Sequence, residues 1–98
     1  MVEASAGFAA LADPTRLQIL DVLAHGPRCV CDLRDEVPIA ANLLSYHLKV
    51  LREAGLVTCA RRGRWIDYAL DEAALARLEA ALPGASRPRA AAGAAVAR

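Results

Sequence analysis

The stretch from Cys29 to Val57, CVCDLRDEVPIAANLLSYHLKVLREAGLV, restricts the possible folds of this chain more than any other segment. It predicts a short helix over about residues 30–36, a turn, and a second helix over about 41–54 that leads into a strand. In the second helix, Leu44, Leu48 and Leu51 have the spacing i, i+4 and i+7, which places them on one face. Polar side chains occupy the rest of the circumference. We therefore predict a helix-turn-helix with one face in a core and the other free to meet a partner.

The residues before this motif predict two helices and one rung of strand. An alanine-rich helix is expected over 2–11, where it packs weakly within one subunit and is a candidate dimer element. Asp13 and Pro14 predict a helix start, because Asp accepts hydrogen bonds from free N–H groups and Pro at the first position loses none. This helix is expected to reach about His25, where Gly26-Pro27 ends it. Its predicted core residues are Leu17, Leu20, Leu23 and Ala24, and residues 28–29 are expected to add the strand rung.

The residues after the motif predict a hairpin and a last helix. Gly55 is the expected end of the second motif helix, and strands are expected over 56–60 and 65–70 around a basic tip, Arg61-Arg62-Gly63-Arg64. Asp71 is the expected cap of a helix that continues to Pro83-Gly84. Along one side of that helix lie Leu75, Leu78 and Leu82, which have no evident core of their own to join. That leucine side favours a dimer.

Together these elements predict a mainly α fold with a small β-hairpin wing (α+β), a winged helix-turn-helix that forms a dimer. The 98 residues suffice for one domain with a core of modest size. We assign residues 1–84 to a DNA-binding and dimerisation domain. Residues 85–98, ASRPRAAAGAAVAR, contain few large apolar groups to bury, so we expect a disordered tail there.

The composition and the termini predict a cytoplasmic protein. The chain is 56% hydrophobic, but no uninterrupted apolar run approaches the roughly 18 residues of a membrane span. The N-terminus lacks the features of a signal peptide, and the three cysteines cannot all pair within one chain. We expect free thiols, a reducing compartment and no membrane partner.

Positive charge is concentrated in and after the second motif helix. The net charge is only +1, yet residues 45–64 hold five Lys or Arg against one Glu. Phosphate contacts with double-stranded operator DNA are expected from Lys49, Arg52, Arg61, Arg62 and Arg64. Base readout is expected from Asn42, Ser45 and Tyr46, and His47 belongs to the same DNA-facing set. For the three wing arginines, the alternative is a solvated charged turn.

Four segments in order resemble the ArsR/SmtB family of small dimeric winged-helix repressors that sense metals and metalloids. They are LADPTRLQIL at 11–20, CVCDL at 29–33, LSYHLKVLREAGLV at 44–57 and GRWIDYAL at 63–70. The resemblance implies a homodimeric repressor that leaves its operator when an inducing ion binds. In arsenic-sensing members the cysteine block is similar to CVCDLC, and three thiolates bind the trivalent metalloid. Here Arg34 stands at the third position.

The resemblance makes Cys29 and Cys31 the expected ligands of an inducer, As(III) or Sb(III). Independently of it, thiolate donors select soft ions, so Cd(II), Hg(II) and Pb(II) stay open. Within a regular helix, positions i and i+2 point about 200° apart, so we expect ion binding to distort the first turn. Cys59 is the candidate third ligand, from the same subunit or across a dimer. The alternative for Cys59 is a cysteine that packs in the sheet.

Two other classes of function stay open from the sequence. The cysteines of a winged-helix repressor can instead sense oxidants, and the fold can serve as a protein-interaction module that has lost DNA binding. His25 and His47 are interpreted as polar or capping residues rather than zinc ligands. An enzyme is not expected, because no nucleophile, base and orienting group are grouped in the sequence.

Overall fold

The computed structural model describes residues 2–85, in which five helices and three strands follow one another. Their bounds are α1 Val2–Leu11, α2 Pro14–Ala24, β1 Arg28–Cys29, α3 Val30–Glu36, α4 Ala41–Glu53, β2 Val57–Arg62, β3 Trp65–Leu70 and α5 Glu72–Ala81. Helices α3 and α4 form the helix-turn-helix, and β2 and β3 form the wing. The predicted mainly α fold with a hairpin wing is thereby confirmed. The predicted tail lies outside the described residues from position 86 onward.

The three strands form one antiparallel sheet in the order β1-β3-β2. The wing turn is shorter than the sequence predicted, because Arg61 and Arg62 continue β2 and only Gly63 and Arg64 connect the strands. Gly63 has a φ of +61°, and glycine with positive φ at the first position of a two-residue turn suits the twist of a hairpin. The pairing of Arg62 with Trp65 then sets the register of the whole wing.

Two aspartates begin helices as the sequence predicted. The carboxylate of Asp13 accepts hydrogen bonds from the backbone N–H groups of Thr15 and Arg16, at 2.8 and 3.1 Å. The Arg16 N–H bond is the main reason that the pKa of Asp13 is lowered. Asp71 likewise accepts a bond from the N–H of Ala74 at 3.0 Å. These caps satisfy donors that the first turns of α2 and α5 leave free.

The core lies where the helices meet the base of the sheet. Its fully buried large side chains are Ile19, Leu33, Val37, Leu44, Leu51, Leu56 and Val57. The predicted α4 stripe is confirmed, since Leu48 is buried with Leu44 and Leu51. In α2 the predicted set was partly wrong, because Ile19 is buried while Leu17 is 50% exposed and Ala24 is exposed. Ile19, Leu20 and Leu23 define the inward face, and Leu17 falls to one side of it.

Helices α1 and α5 pack closely within one chain, contrary to the weak packing predicted for α1. Gly7 is buried, and a Cβ placed there would lie 2.7 Å from Leu78 Cδ2. Leu78 is therefore part of the subunit core, and the expectation that it had no core to join was wrong. Leu75 is half-buried and Leu82, just beyond the end of α5, is 50% exposed. In the described part of the chain, no helix is long and apolar enough to cross a membrane.

Candidate nucleic-acid interface and thiol site

One face of α4 is both polar and exposed. It carries Asn42, Ser45, Tyr46 and Lys49, which are all exposed. Residues three, four and seven apart lie on the same side of a helix, so these four side chains form one surface opposite the buried leucines. Tyr46, the aromatic side chain of this group, is 56% exposed. The structure thus brings together the residues predicted to read bases, and adds Lys49 beside them.

Arg52 and His47 are also on α4, but they contact other elements of the chain. Arg52 Nη1 donates to Cys59 Sγ on β2 at 3.8 Å, and this bond is the first cause of the raised pKa of Arg52. His47 is half-buried, and its Nδ1 lies 3.1 Å from Nη1 of Arg16 on α2. The two residues therefore border the exposed face of α4 instead of standing at its centre.

The wing presents fewer free positive charges than the sequence count suggested. Arg62 donates to both carboxylate oxygens of Asp67, at 2.7 and 3.2 Å, which raises the pKa of Arg62 and lowers that of Asp67. Within residues 2–85, Arg61 and Arg64 form no salt bridge, and both are exposed. Arg61 and Arg64 are thus the wing cations whose charge is not already offset.

The pair of cysteines spans the junction between β1 and α3. Cys29 belongs to β1 and precedes the helix with extended backbone angles, φ −75° and ψ 165°, whereas Cys31 lies in the first turn of α3. The strand rung predicted over 28–29 is confirmed, and it places Cys29 outside the helix, so the angle of about 200° between positions i and i+2 of a regular helix does not apply to this pair. Cys29 is half-buried, Cys31 is exposed, and both are free thiols. Arg28, the cation before them, is already paired with Glu36 at 2.7 Å.

Sheet register separates Cys59 from Cys29 within one chain. Cys29 pairs with Asp67, and Cys59 pairs with Tyr68 on the other side of β3. Directly paired residues point to the same face of a sheet and successive residues to opposite faces, so the two thiols project from opposite faces. They also stand two strand spacings apart, roughly 9–10 Å. A third thiolate from Cys59 would therefore have to come from a second chain.

Cys31 lines a shallow groove of about 430 Å³ with Arg34, Asp35, Pro38 and Ile39. The groove borders the turn between α3 and α4, so a group bound at Cys31 lies against the helix-turn-helix itself. Among residues 2–85, no three His, Cys, Asp or Glu side chains are grouped closely enough to hold a metal ion. The donors fit a soft ion in chemical type, since both are thiols, but one chain supplies only this pair at the junction.

Two polar residues of this region were missed from the sequence. Asp67 was missed because it lies three residues beyond the basic segment 45–64. A two-residue turn after Arg62 would have placed Arg62 and Asp67 on the same face of the wing, so this contact could have been predicted. Arg16 contacts His47 across 31 positions of sequence, and no local pattern could have indicated that contact.

Comparison with known proteins connects this geometry to a family. The family model described as "Bacterial regulatory protein, arsR family" matches residues 13–58, which run from the α2 cap into β2. The chain is 42% identical over 66 residues to the arsenical resistance operon repressor of Bacillus subtilis, covering 66% of this chain and 63% of that protein. It is 44% identical over 62 residues to an HTH-type transcriptional regulator of Methanocaldococcus jannaschii, covering 62% of this chain and 70% of that protein.

A solved structure gives the same relationship in three dimensions. It is the solution structure of a homodimeric winged helix-turn-helix DNA-binding domain from Mycobacterium bovis, described as a possible ArsR-family transcriptional regulator. The two chains share 35% identity with a TM-score of 0.71, over 80% of this chain and 72% of that one. All of these relatives are named as repressors or regulators of transcription, which agrees with the expectation of a regulatory protein rather than an enzyme.

Proposed function

The chain belongs to the ArsR family of bacterial regulatory proteins, and on that premise we propose that it is a transcriptional repressor that binds operator DNA as a homodimer and leaves it when a soft ion binds its thiols. The exposed polar face of α4 beside a basic wing carries the DNA part of the proposal. Free thiols at the β1–α3 junction carry the sensing part.

For DNA binding, α4 is the element expected to enter the major groove. Asn42, Ser45 and Tyr46 supply donors, acceptors and an aromatic edge to the bases, while Lys49 reaches a phosphate. Arg61 and Arg64 on the wing add phosphate contacts to one side of α4. Two such units in a dimer read two half-sites about one helical turn, or about 34 Å, apart.

For sensing, we propose As(III) or Sb(III) as inducer at Cys29 and Cys31. These thiols lie at the start of the helix-turn-helix, Cys29 just before α3 and Cys31 in its first turn, and a named relative is an arsenical resistance repressor. Drawing Cys29 and Cys31 onto one ion changes the path of the chain where β1 joins α3, and α3 leads through the turn at Pro38 into α4, the helix proposed to read DNA. Ion binding and DNA fit therefore compete. An ion that binds the free form about 100-fold better weakens the DNA complex by about 2.7 kcal/mol.

The test is release of the protein from its own promoter region. The purified chain is bound to that DNA and titrated with As(III), Sb(III), Cd(II), Hg(II) and Zn(II), and the bound fraction is read by gel shift. Cys29→Ser and Cys31→Ser should bind DNA like the parent and ignore As(III). Cys59→Ser should lose the response only if that thiol, from the second chain, completes the site. Release of both single variants at the parental As(III) concentration would refute metalloid sensing at this junction.

A second candidate for the sensing step is supported by the donor count. The junction supplies only two thiols per chain, which suits a thiol-oxidation response or a different thiophilic ion, such as Hg(II), Cd(II) or Pb(II), better than a three-thiolate metalloid site. Peroxide treatment followed by thiol titration separates oxidation from ion binding. Loss of two thiols together with loss of DNA binding, in the absence of any metal, would favour the oxidant.

A further inference from the structure

Arg16 joins three separate parts of the chain through one side chain. Its Nε donates to the backbone oxygen of Ala10 at the end of α1 at 2.7 Å, and its Nη1 lies 4.0 Å from the Asp13 carboxylate. The same Nη1 lies 3.1 Å from His47 Nδ1 on α4. The Arg16 side chain is only 12% exposed, so these contacts are shielded from competing water.

The direction of the bond to His47 follows from the donors available. Arginine has no acceptor, so Nδ1 of His47 must accept the bond and the ring proton must be on Nε2. The His47 ring in turn meets the ring of Tyr46 edge-on, with centroids 5.3 Å apart. A continuous chain of contacts therefore leads from the end of α1, through Arg16 and His47, to Tyr46 on the exposed polar face of α4.

The position of this bridge matters in a dimer. Helix α1 packs on α5 through Gly7 and Leu78 to form an α1–α5 unit, and both helices were predicted from the sequence to contribute to a dimer. The distance between two reading helices in a dimer then depends on how each α4 is held relative to its own α1. Besides the apolar core that the two helices share, Arg16 makes a polar connection between them.

We propose that Arg16 is a positioning residue for DNA reading: through His47 it fixes α4 relative to the α1–α5 unit, and so sets the sequence preference and the half-site spacing that the dimer accepts. The inference rests on the proposed function, and it assigns His47 to this bridge instead of to a DNA contact. Loss of the bridge leaves the phosphate-binding cations in place, so non-specific affinity and its salt dependence stay the same.

The experiment compares two affinities for each variant. One is for the footprinted operator from the protein's own promoter region, and the other is for a random duplex of equal length. Arg16→Gln and His47→Leu should each lower the ratio of the two affinities by on the order of tenfold, the size of one mismatched base pair. They should also tolerate a one-base-pair insertion between half-sites better than the parent does. His47→Gln, whose amide oxygen can accept the Arg16 bond, should keep most of the parental ratio.

Controls separate the bridge from the charge and from the fold. Arg16→Lys keeps the charge but loses the planar pair of donors, so it should behave like Arg16→Gln. Melting curves and sedimentation are recorded for every variant. If Arg16→Gln does not fold, the comparison of His47→Leu with His47→Gln still decides. The inference would be overturned if His47→Leu and His47→Gln had the same ratio of operator affinity to random-duplex affinity. It would also be overturned if Arg16→Gln folded and kept the parental ratio. Failure of the parent to prefer any promoter segment would instead refute the proposed function.

Discussion

At the scale of single residues, the charge that a side chain presents to DNA depends on its partner within the protein. Arg61, Arg62 and Arg64 are equivalent in the sequence, but Asp67 already binds Arg62. Similarly, Arg52 donates a hydrogen bond to Cys59, and Arg28 forms a salt bridge with Glu36. Ion pairs this exposed stabilise the fold little, yet they determine which cations are free to meet a phosphate.

The wing cations should therefore differ in their effect on DNA binding. Arg61→Gln and Arg64→Gln should each reduce the slope of log affinity against log salt by about one, the value for one phosphate contact. Arg62→Gln should change the slope less, because its charge is paired. Titrations over a range of salt concentrations measure this, and Trp65, the one tryptophan of the chain, provides a fluorescence signal on the wing. Equal slopes for all three variants and the parent would contradict the assignment.

Acid should remove the stability that Asp13 and Asp67 contribute when they are ionised. The pKa values of Asp13 and Asp67 are lowered in the folded chain, by the Arg16 N–H bond and by the Arg62 bond respectively. A lowered folded pKa gives stability that is present above the unfolded value of about 4 and lost as the pH falls through the folded value.

Melting temperature measured against pH should thus fall in the acid range, and Asp67→Asn should make that fall shallower. Asp35→Asn is the matched control, because Asp35 is an exposed carboxylate that forms no salt bridge within residues 2–85. An acid limb of the same shape in Asp67→Asn and the parent would count against the wing ion pair.

At the scale of helices and strands, local signals determined where most elements begin. Asp13 and Asp71 cap their helices as expected, and the two-residue turn at Gly63 sets the pairing of the wing. The least expected contact is between α1 and α5, where a glycine allows the helices to approach closely.

Widening that contact should destabilise the subunit. Gly7→Val would place its Cβ 2.7 Å from Leu78 Cδ2, and overpacking of this kind costs about 1–3 kcal/mol. Chemical denaturation measures the loss. Ala9→Val, at an exposed position of the same helix, is the control. It should lower the free energy of unfolding by only about 0.5 kcal/mol, the difference in helix propensity between Ala and Val. A similar loss for both variants would mean that the close approach is unimportant.

At the scale of the whole molecule, some apolar side chains are left exposed and could be buried by a second copy of the chain. Leu78 was expected to lie in a dimer interface, but it is buried within the chain at 7% exposure. Leu82 remains half-exposed just beyond the end of α5, and a groove of about 320 Å³ opens between α1, α5 and the end of α4.

Leu82→Glu should therefore shift the dimer toward monomer while the subunit stays folded, since the charge would be buried only on association. Leu78→Glu should unfold the subunit instead. Leu17→Glu, at an equally exposed leucine on α2, is the control and should leave association unchanged. Sedimentation at micromolar concentration with circular dichroism distinguishes these outcomes. A monomeric parent would refute the proposed dimer.

The sequence alone was enough to predict the order of helices and strands, the buried face of α4 and the family. These follow from periodicity and from turn and cap residues, which act over a few positions. It also indicated the α4 residues that the structure exposes together, because a single helix presents its faces at a known period.

Which distant groups come together depends on the packing of the whole chain, and local patterns did not predict it. Sheet order and register, which depend on pairing between strands far apart in sequence, separate Cys59 from Cys29 and bring Asp67 to Arg62. Helix packing buries Leu78 and brings Arg16 to His47. Periodicity predicts which face of an element is apolar, but not which neighbour covers that face, because the neighbour is chosen by the packing of the whole chain.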